Sequence, residues 1–140
     1  MPHAIMNILI HWYSMCSAVV RWDNTLSRVV QLQCGVRQGG VLSPVSFAVY
    51  VNDLIISLSN SDHGCYFNNM FVGCVMYADD LLLLSASLCD LQLMINICCK
   101  ELDKLDMKLN VKKSQLVRIG RSHHKVVHGV VLNGELLRLC

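Results

Sequence analysis

Two adjacent carboxylates, Asp79 and Asp80, sit inside Phe71-Val72-Gly73-Cys74-Val75-Met76-Tyr77-Ala78-Asp79-Asp80-Leu81-Leu82-Leu83-Leu84, one of the most apolar runs of the chain. Asp is seldom buried, and neighbouring carboxylates repel when both are ionised. A pair in such a setting suits a divalent cation such as Mg²⁺, which is held by a few carboxylates together with substrate phosphates. The alternative is a polar hairpin turn between buried strands, where Asp is common for its own backbone hydrogen bonds. Two other segments carry residue types of comparable promise. Gly35-Val36-Arg37-Gln38-Gly39-Gly40 joins glycines, which let a backbone approach a ligand closely, to the donors of Arg37 and Gln38. A plain turn explains its glycines equally well, Gly35 above all. Asn110-Val111-Lys112-Lys113-Ser114 offers two lysines, for which a solvated face is the ordinary role.

The elements that would position these groups follow from periodicity. Ile5, Ile8, Leu9, Trp12 and Tyr13 predict a helix over residues 4–20. Val19 to Leu32 reads as strands, with Asp23-Asn24 as a turn. Ser43-Pro44 is a helix start, Ser as N-cap and Pro at the first helical position. Phe47, Val51, Leu54 and Leu58 then recur at spacings of four, three and four, which is one helix face. After a polar loop, Tyr66 to Ser85 is a strand–turn–strand pattern. Within it, residues 71–86 predict an antiparallel hairpin with Asp79 and Asp80 at an exposed tip. The helix face is expected to pack on its strands. Ser87-x-x-Asp90 is a capping-box variant opening a helix with Leu88, Leu91, Ile95, Cys98, Leu102, Leu105 and Leu109 on one face, ended by Asn110. Strands are expected at Gln115–Ile119 and Val126–Leu132, with Asn133-Gly134 as a hairpin turn. The fold class is α+β, an antiparallel sheet packed against helices.

Composition narrows the classes. The 140 residues are at most one domain, 54% hydrophobic and 16% charged, with mean hydropathy +0.43. That excludes a disordered chain. No window offers the run of uncharged apolar residues that a spanning helix needs, and Met1 to Val20 lacks a basic leader, so a membrane or secreted protein is not expected. The chain reads instead as a slice of a larger core. Residues 1–99 hold three Lys/Arg against six acids, and residues 100–140 nine against four. A basic C-terminal third could face nucleic acid. The eight Cys include no C-x₂-C pair, and His123, His124 and His128 have no paired cysteines nearby, which disfavours a zinc module. Cysteines in apolar runs, such as Cys74 and Cys98, act as small hydrophobes and are read as reduced.

Taken in order, the glycine loop running into Val41-Leu42-Ser43-Pro44, then Tyr77-Ala78-Asp79-Asp80, the amphipathic helix, and Asn110-Val111-Lys112-Lys113-Ser114 resemble the palm of reverse transcriptases. The resemblance is to those of non-LTR (LINE-like) retrotransposons and their group II intron relatives, through the RQG-x-x-LSP block, the YADD box and the N-x-x-K-[S/T] segment. It covers about Trp12 to Leu139. It implies template-directed nucleotidyl transfer with two Mg²⁺ ions, an RNA template, a DNA primer and deoxynucleoside triphosphates. By the same resemblance Asp79 is a metal ligand assisted by Asp80, and Tyr77 packs beneath the primer end. Arg37, Gln38 and Gly39 lie beside the incoming nucleotide, and Lys113 lies near the triphosphate.

Departures qualify the transfer of function. The family's third carboxylate lies on an earlier strand, and nothing in Met1 to Arg21 offers it; the first Asp is Asp23, in a turn. Fingers and thumb segments are also missing, Gly40 falls where the family varies, and Ser46 replaces an apolar residue. The chain is therefore expected to be a partial reverse transcriptase domain spanning 1–140, inactive by itself. The competing reading is a catalytically dead retroelement remnant, at most a nucleic-acid-binding module. Location is suggested only by the family's action on chromosomal DNA, which points to the nucleus.

Overall fold

Residues with left-handed backbone set the corners of this chain. Asp23 (φ 49°), Asn68 (48°), Asn69 (61°), Ala78 (50°) and Asn133 (51°) all fall in two-residue hairpin loops, and Asp106 (53°) follows a helix. Asn and Asp tolerate that region because a short polar side chain can bond locally, so most corners follow from residue type. The computed structural model describes residues 3–33, 35, 39–120, 129–137 and 139. They form two compact units, Met1–Ser43 and Pro44–Cys140.

The first unit begins with helix α1 (His3–Ser14), shorter than the 4–20 expected. Ser14 ends it by donating its hydroxyl to the His11 carbonyl at 2.7 Å. Strands β1 (Ser17–Ala18) and β4 (Val30–Gln31) pair antiparallel and enclose the hairpin β2 (Arg21–Trp22)–β3 (Thr25–Leu26), turned at Asp23-Asn24 as expected. Gln31 donates its amide to the Ser14 carbonyl at 2.8 Å, tying β4 to the helix end. None of the described residues here is buried, and Trp12, Trp22 and Val29 stay largely exposed.

The second unit carries two hydrophobic clusters around one helix. The stretch beginning at Ser43 forms α2 (Ser43–Tyr50) and α3 (Asn52–Ser59), with Val51 stepping out of helical geometry between them at φ −93°, ψ 1°. Val51, Leu54 and Leu58 are buried and Phe47 half-buried, so the face read from spacing is the one that packs. Helix α4 (Leu88–Asp103) opens at Ser87, whose hydroxyl oxygen accepts the Asp90 N–H at 3.0 Å. The same hydroxyl donates to Asp90 Oδ2 at 2.9 Å, while Asp90 Oδ1 lies 3.2 Å from His63 Nδ1. Leu54 and Leu58 of α3 meet Met94, Cys98 and Leu102 of α4 in one cluster. On its other side Ile95 joins Leu116, Val130, Leu132 and Leu137 in the second.

Further expectations need correction. Helix α4 was expected to run to Leu109, but the chain leaves it near Asp103. The Met107 N–H bonds to the Leu102 carbonyl at 3.0 Å and the Asp106 N–H to the Asp103 carbonyl at 3.3 Å, a Schellman motif with Asp106 in the left-handed position. Leu109 still packs on both clusters, which is why the apolar rhythm continued past the end. Gln115–Ile119 is not a strand; it contributes one bridge, Leu116 to Leu139. The antiparallel pairing is present as separate two-stranded ladders, and no wider sheet forms among the described residues. Of the last expected strand, β9 (Val130–Leu132) is seen, hairpinned through Asn133-Gly134 to β10 (Glu135–Leu137); residues 126–128 lie outside the described residues.

Candidate active site

The segment from Tyr66 to Leu83 is two hairpins rather than one. Strands β5 (Tyr66–Phe67) and β6 (Met70–Phe71) turn at Asn68-Asn69. Strands β7 (Cys74–Tyr77) and β8 (Asp80–Leu83) then pair in the register Cys74 to Leu83, Val75 to Leu82, Met76 to Leu81 and Tyr77 to Asp80. The ladder extends one step further, since the Leu84 N–H bonds to the Gly73 carbonyl at 2.8 Å. Ala78 and Asp79 form the loop, and Asp80 is the first paired residue after it.

Strand alternation then does the sorting. Cys74, Met76, Leu81 and Leu83 turn inward and pack on the cluster of Leu54, Leu58, Met94, Cys98 and Leu102. Val75, Tyr77, Asp80 and Leu82 are exposed on the outer face, Tyr77 at 82%. Asp79 at the loop is exposed as well. The apolar run is thus half core anchor and half open face, and the two carboxylates project from a tip rooted in the core. Neither makes a side-chain hydrogen bond or ion pair with the other described residues, so their oxygens are uncommitted.

A residue that the sequence reading passed over is Ala78. Left-handed backbone brings Cβ close to a carbonyl oxygen and costs a non-glycine residue roughly 1–2 kcal/mol. Six of the seven such positions in the described chain are Asn or Asp; Ala78 is the exception. Alanine itself gives no sequence signal for this conformation. Only its place in a two-residue loop between alternating strands could have pointed to it.

The other predicted site residues are placed unevenly. Gly39 has φ 75° and Gly35 φ 96°, with open space where a Cβ would stand, so backbone conformation rather than crowding is what glycine supplies there. Arg37 and Gln38 lie outside the described residues. The loop belongs to the first unit and the carboxylate hairpin to the second. Lys113 is exposed in a turn organised by Asn110. The Asn110 carbonyl accepts the Lys113 N–H at 3.1 Å, the Ser114 N–H at 3.0 Å and the Ser114 hydroxyl at 2.8 Å. Asn110 Oδ1 accepts the Lys112 N–H at 3.1 Å. The Asn and Ser of N-x-x-K-S therefore build the turn, which leaves the lysines facing solvent.

The thiols near this site behave as apolar groups. Burial pushes Cys98 up from 9.0 to about 12, with Cys74 and Cys99 adding to it, and burial also raises Cys74. Cys34, Cys140 and the histidines at 123, 124 and 128 lie outside the described residues. Among the described residues no group of three His, Cys, Asp or Glu side chains could hold a metal ion. Asp79 and Asp80 nevertheless fit Mg²⁺ in kind, being hard, free oxygen donors, but they number two.

No helix among the described residues is long and apolar enough to cross a membrane. A family model described as "Reverse transcriptase (RNA-dependent DNA polymerase)" matches residues 2–129. The chain belongs to the reverse transcriptase family. Membership implies Mg²⁺ and nucleic-acid substrates in general. No curated protein matches the chain.

Proposed function

We propose that residues 1–140 are the central, palm-like part of an RNA-directed DNA polymerase of the non-LTR retrotransposon kind. The observation that carries this is the exposed, uncommitted Asp79–Asp80 pair on a hairpin whose inner face is fixed in the core. Nucleotidyl transfer at phosphorus rests mainly on positioning and charge neutralisation, and rigidly mounted carboxylates serve both. Asp79 and Asp80 would hold Mg²⁺, which when bound neutralises charge on the attacking and leaving oxygens. Tyr77, paired opposite Asp80 and exposed on the same face, offers an aromatic surface for the primer end. Arg37, Gln38 and Gly39 are assigned to the incoming nucleotide or template, and Lys113 to its triphosphate. The RNA template and DNA primer are the partners. Support for the non-LTR assignment is the RQG-x-x-LSP block followed by YADD and N-x-x-K-S in one chain.

Two carboxylates are one short of a clamp that bridges two ions, so the 140-residue chain alone should not extend a primer with Mg²⁺ or Mn²⁺. A longer chain adding the upstream carboxylate block, fingers and thumb should do so, and Asp79→Asn in that chain should abolish it. Extension by the 140 residues would refute the partial-domain reading. Activity surviving Asp79→Asn would refute the site.

A further inference from the structure

We infer that Ala78 is a positioning residue for the Asp79–Asp80 pair, its left-handed backbone fixing the direction in which the two carboxylates leave the hairpin. The inference rests on the cation-binding role proposed above. Four hairpins in the described chain turn through two residues, and in each the first loop residue has positive φ. Three of them use Asp23-Asn24, Asn68-Asn69 and Asn133-Gly134, residue types that enter this region readily. Only the loop that carries the carboxylates uses alanine. Such a conformation persists only where the surroundings over-determine it. Here the Tyr77–Asp80 pair closes the loop, and Met76, Leu81, Cys74 and Leu83 below it are packed in the core.

Each alternative residue would change what the tip offers. Glycine would admit many loop conformers and let Asp79 swing. Asparagine or aspartate would hold the turn but add an oxygen beside the pair. Alanine keeps a Cβ, which restricts the backbone, and brings no donor or acceptor of its own. Its strain is therefore coupled to the geometry of its neighbours and not to a bond it makes itself.

The test uses the 140-residue chain with Mn²⁺ as the probe, read by paramagnetic broadening of amide signals around residues 77–81, alongside thermal denaturation. Wild type, Ala78→Gly, Ala78→Asn and Asp79→Asn are compared. Ala78→Gly should bind Mn²⁺ roughly two- to fivefold more weakly, the scale of one residue's lost backbone restriction. Its denaturation midpoint should be unchanged or higher, because strain is relieved. Ala78→Asn, which holds left-handed backbone, should bind at least as tightly as wild type. A merely structural residue would move affinity and midpoint together. Unchanged affinity in Ala78→Gly, a parallel fall in affinity and midpoint, or an Ala78→Asn variant as weak as Ala78→Gly would each overturn the positioning role while leaving the site intact if Asp79→Asn binds poorly. Wild-type binding by Asp79→Asn would overturn the cation site itself, and the positioning role with it.

Discussion

Gln92 should act as a latch between helix α4 and the β9–β10 hairpin, and replacing it tests how the second cluster is held. Its Oε1 accepts the Val131 N–H at 2.7 Å, and its Nε2 donates to the Val131 carbonyl at 2.8 Å. The second Nε2 hydrogen reaches Asn96 Oδ1 at 2.9 Å. Val131 pairs across the hairpin with Leu136, so the amide takes the place of a neighbouring strand on the free edge of β9. Gln92→Leu removes both edge bonds while keeping the volume. A net hydrogen bond is worth about 1 kcal/mol, and water can reach this edge, so the loss should be about 1–2 kcal/mol and not the full desolvation cost of two orphaned groups. Gln92→Glu keeps an acceptor for the Val131 N–H but sets a carboxylate against the Val131 carbonyl. Its deficit should shrink as pH falls and the new carboxyl becomes a donor. Urea denaturation followed by circular dichroism gives the stabilities, and hydrogen exchange gives the Val131 amide directly. Wild-type stability and unchanged Val131 protection in Gln92→Leu would refute the latch.

Other expectations concern the corners and the core. Asp106→Gly should raise the urea midpoint, by about 1 kcal/mol in stability, since glycine suits the left-handed position and an acid leaves the negative end of α4; a lower midpoint would count against the Schellman exit. Leu58→Ala empties a fully enclosed position that the hairpin's inner face packs near, and should cost about 2–5 kcal/mol in the same assay. Cys98 keeps its proton when folded up to about pH 12, whereas in the unfolded chain it loses it near 9.0, so its contribution is complete below pH 9 and declines from there towards 12. Urea midpoints measured across that window should fall with pH, and less steeply in Cys98→Ala.

Features encoded within a few residues were legible in the sequence. Ser87-x-x-Asp90 gave the start of α4, Asn133-Gly134 the last hairpin, and Asp79-Asp80 an exposed position on a hairpin. The capping differs in one detail: Asp90 turns to the Ser87 hydroxyl and His63, and the Ser87 N–H is taken by the Ser85 hydroxyl at 3.2 Å. What sequence could not give depended on distant partners. Leu109 prolonged the helical rhythm because packing on a cluster does not require helical backbone. Gln115–Ile119 alternated like a strand and found a partner only at Leu116. The exchange between Gln92 and Val131 spans 39 positions and leaves no local trace.

The arrangement around Asp79 and Asp80 also explains how so apolar a segment tolerates two charges. An unpaired buried carboxylate would cost several kcal/mol after relaxation. The hairpin avoids that cost by dividing its residues, sending Cys74, Met76, Leu81 and Leu83 into the core and lifting both carboxylates clear of it. The same division leaves Val75, Tyr77 and Leu82 largely uncovered around the charges, an open apolar platform on the outer face. Mounting on the core from below, free oxygens at the tip and an open aromatic face beside them are the features on which the proposed cation site rests.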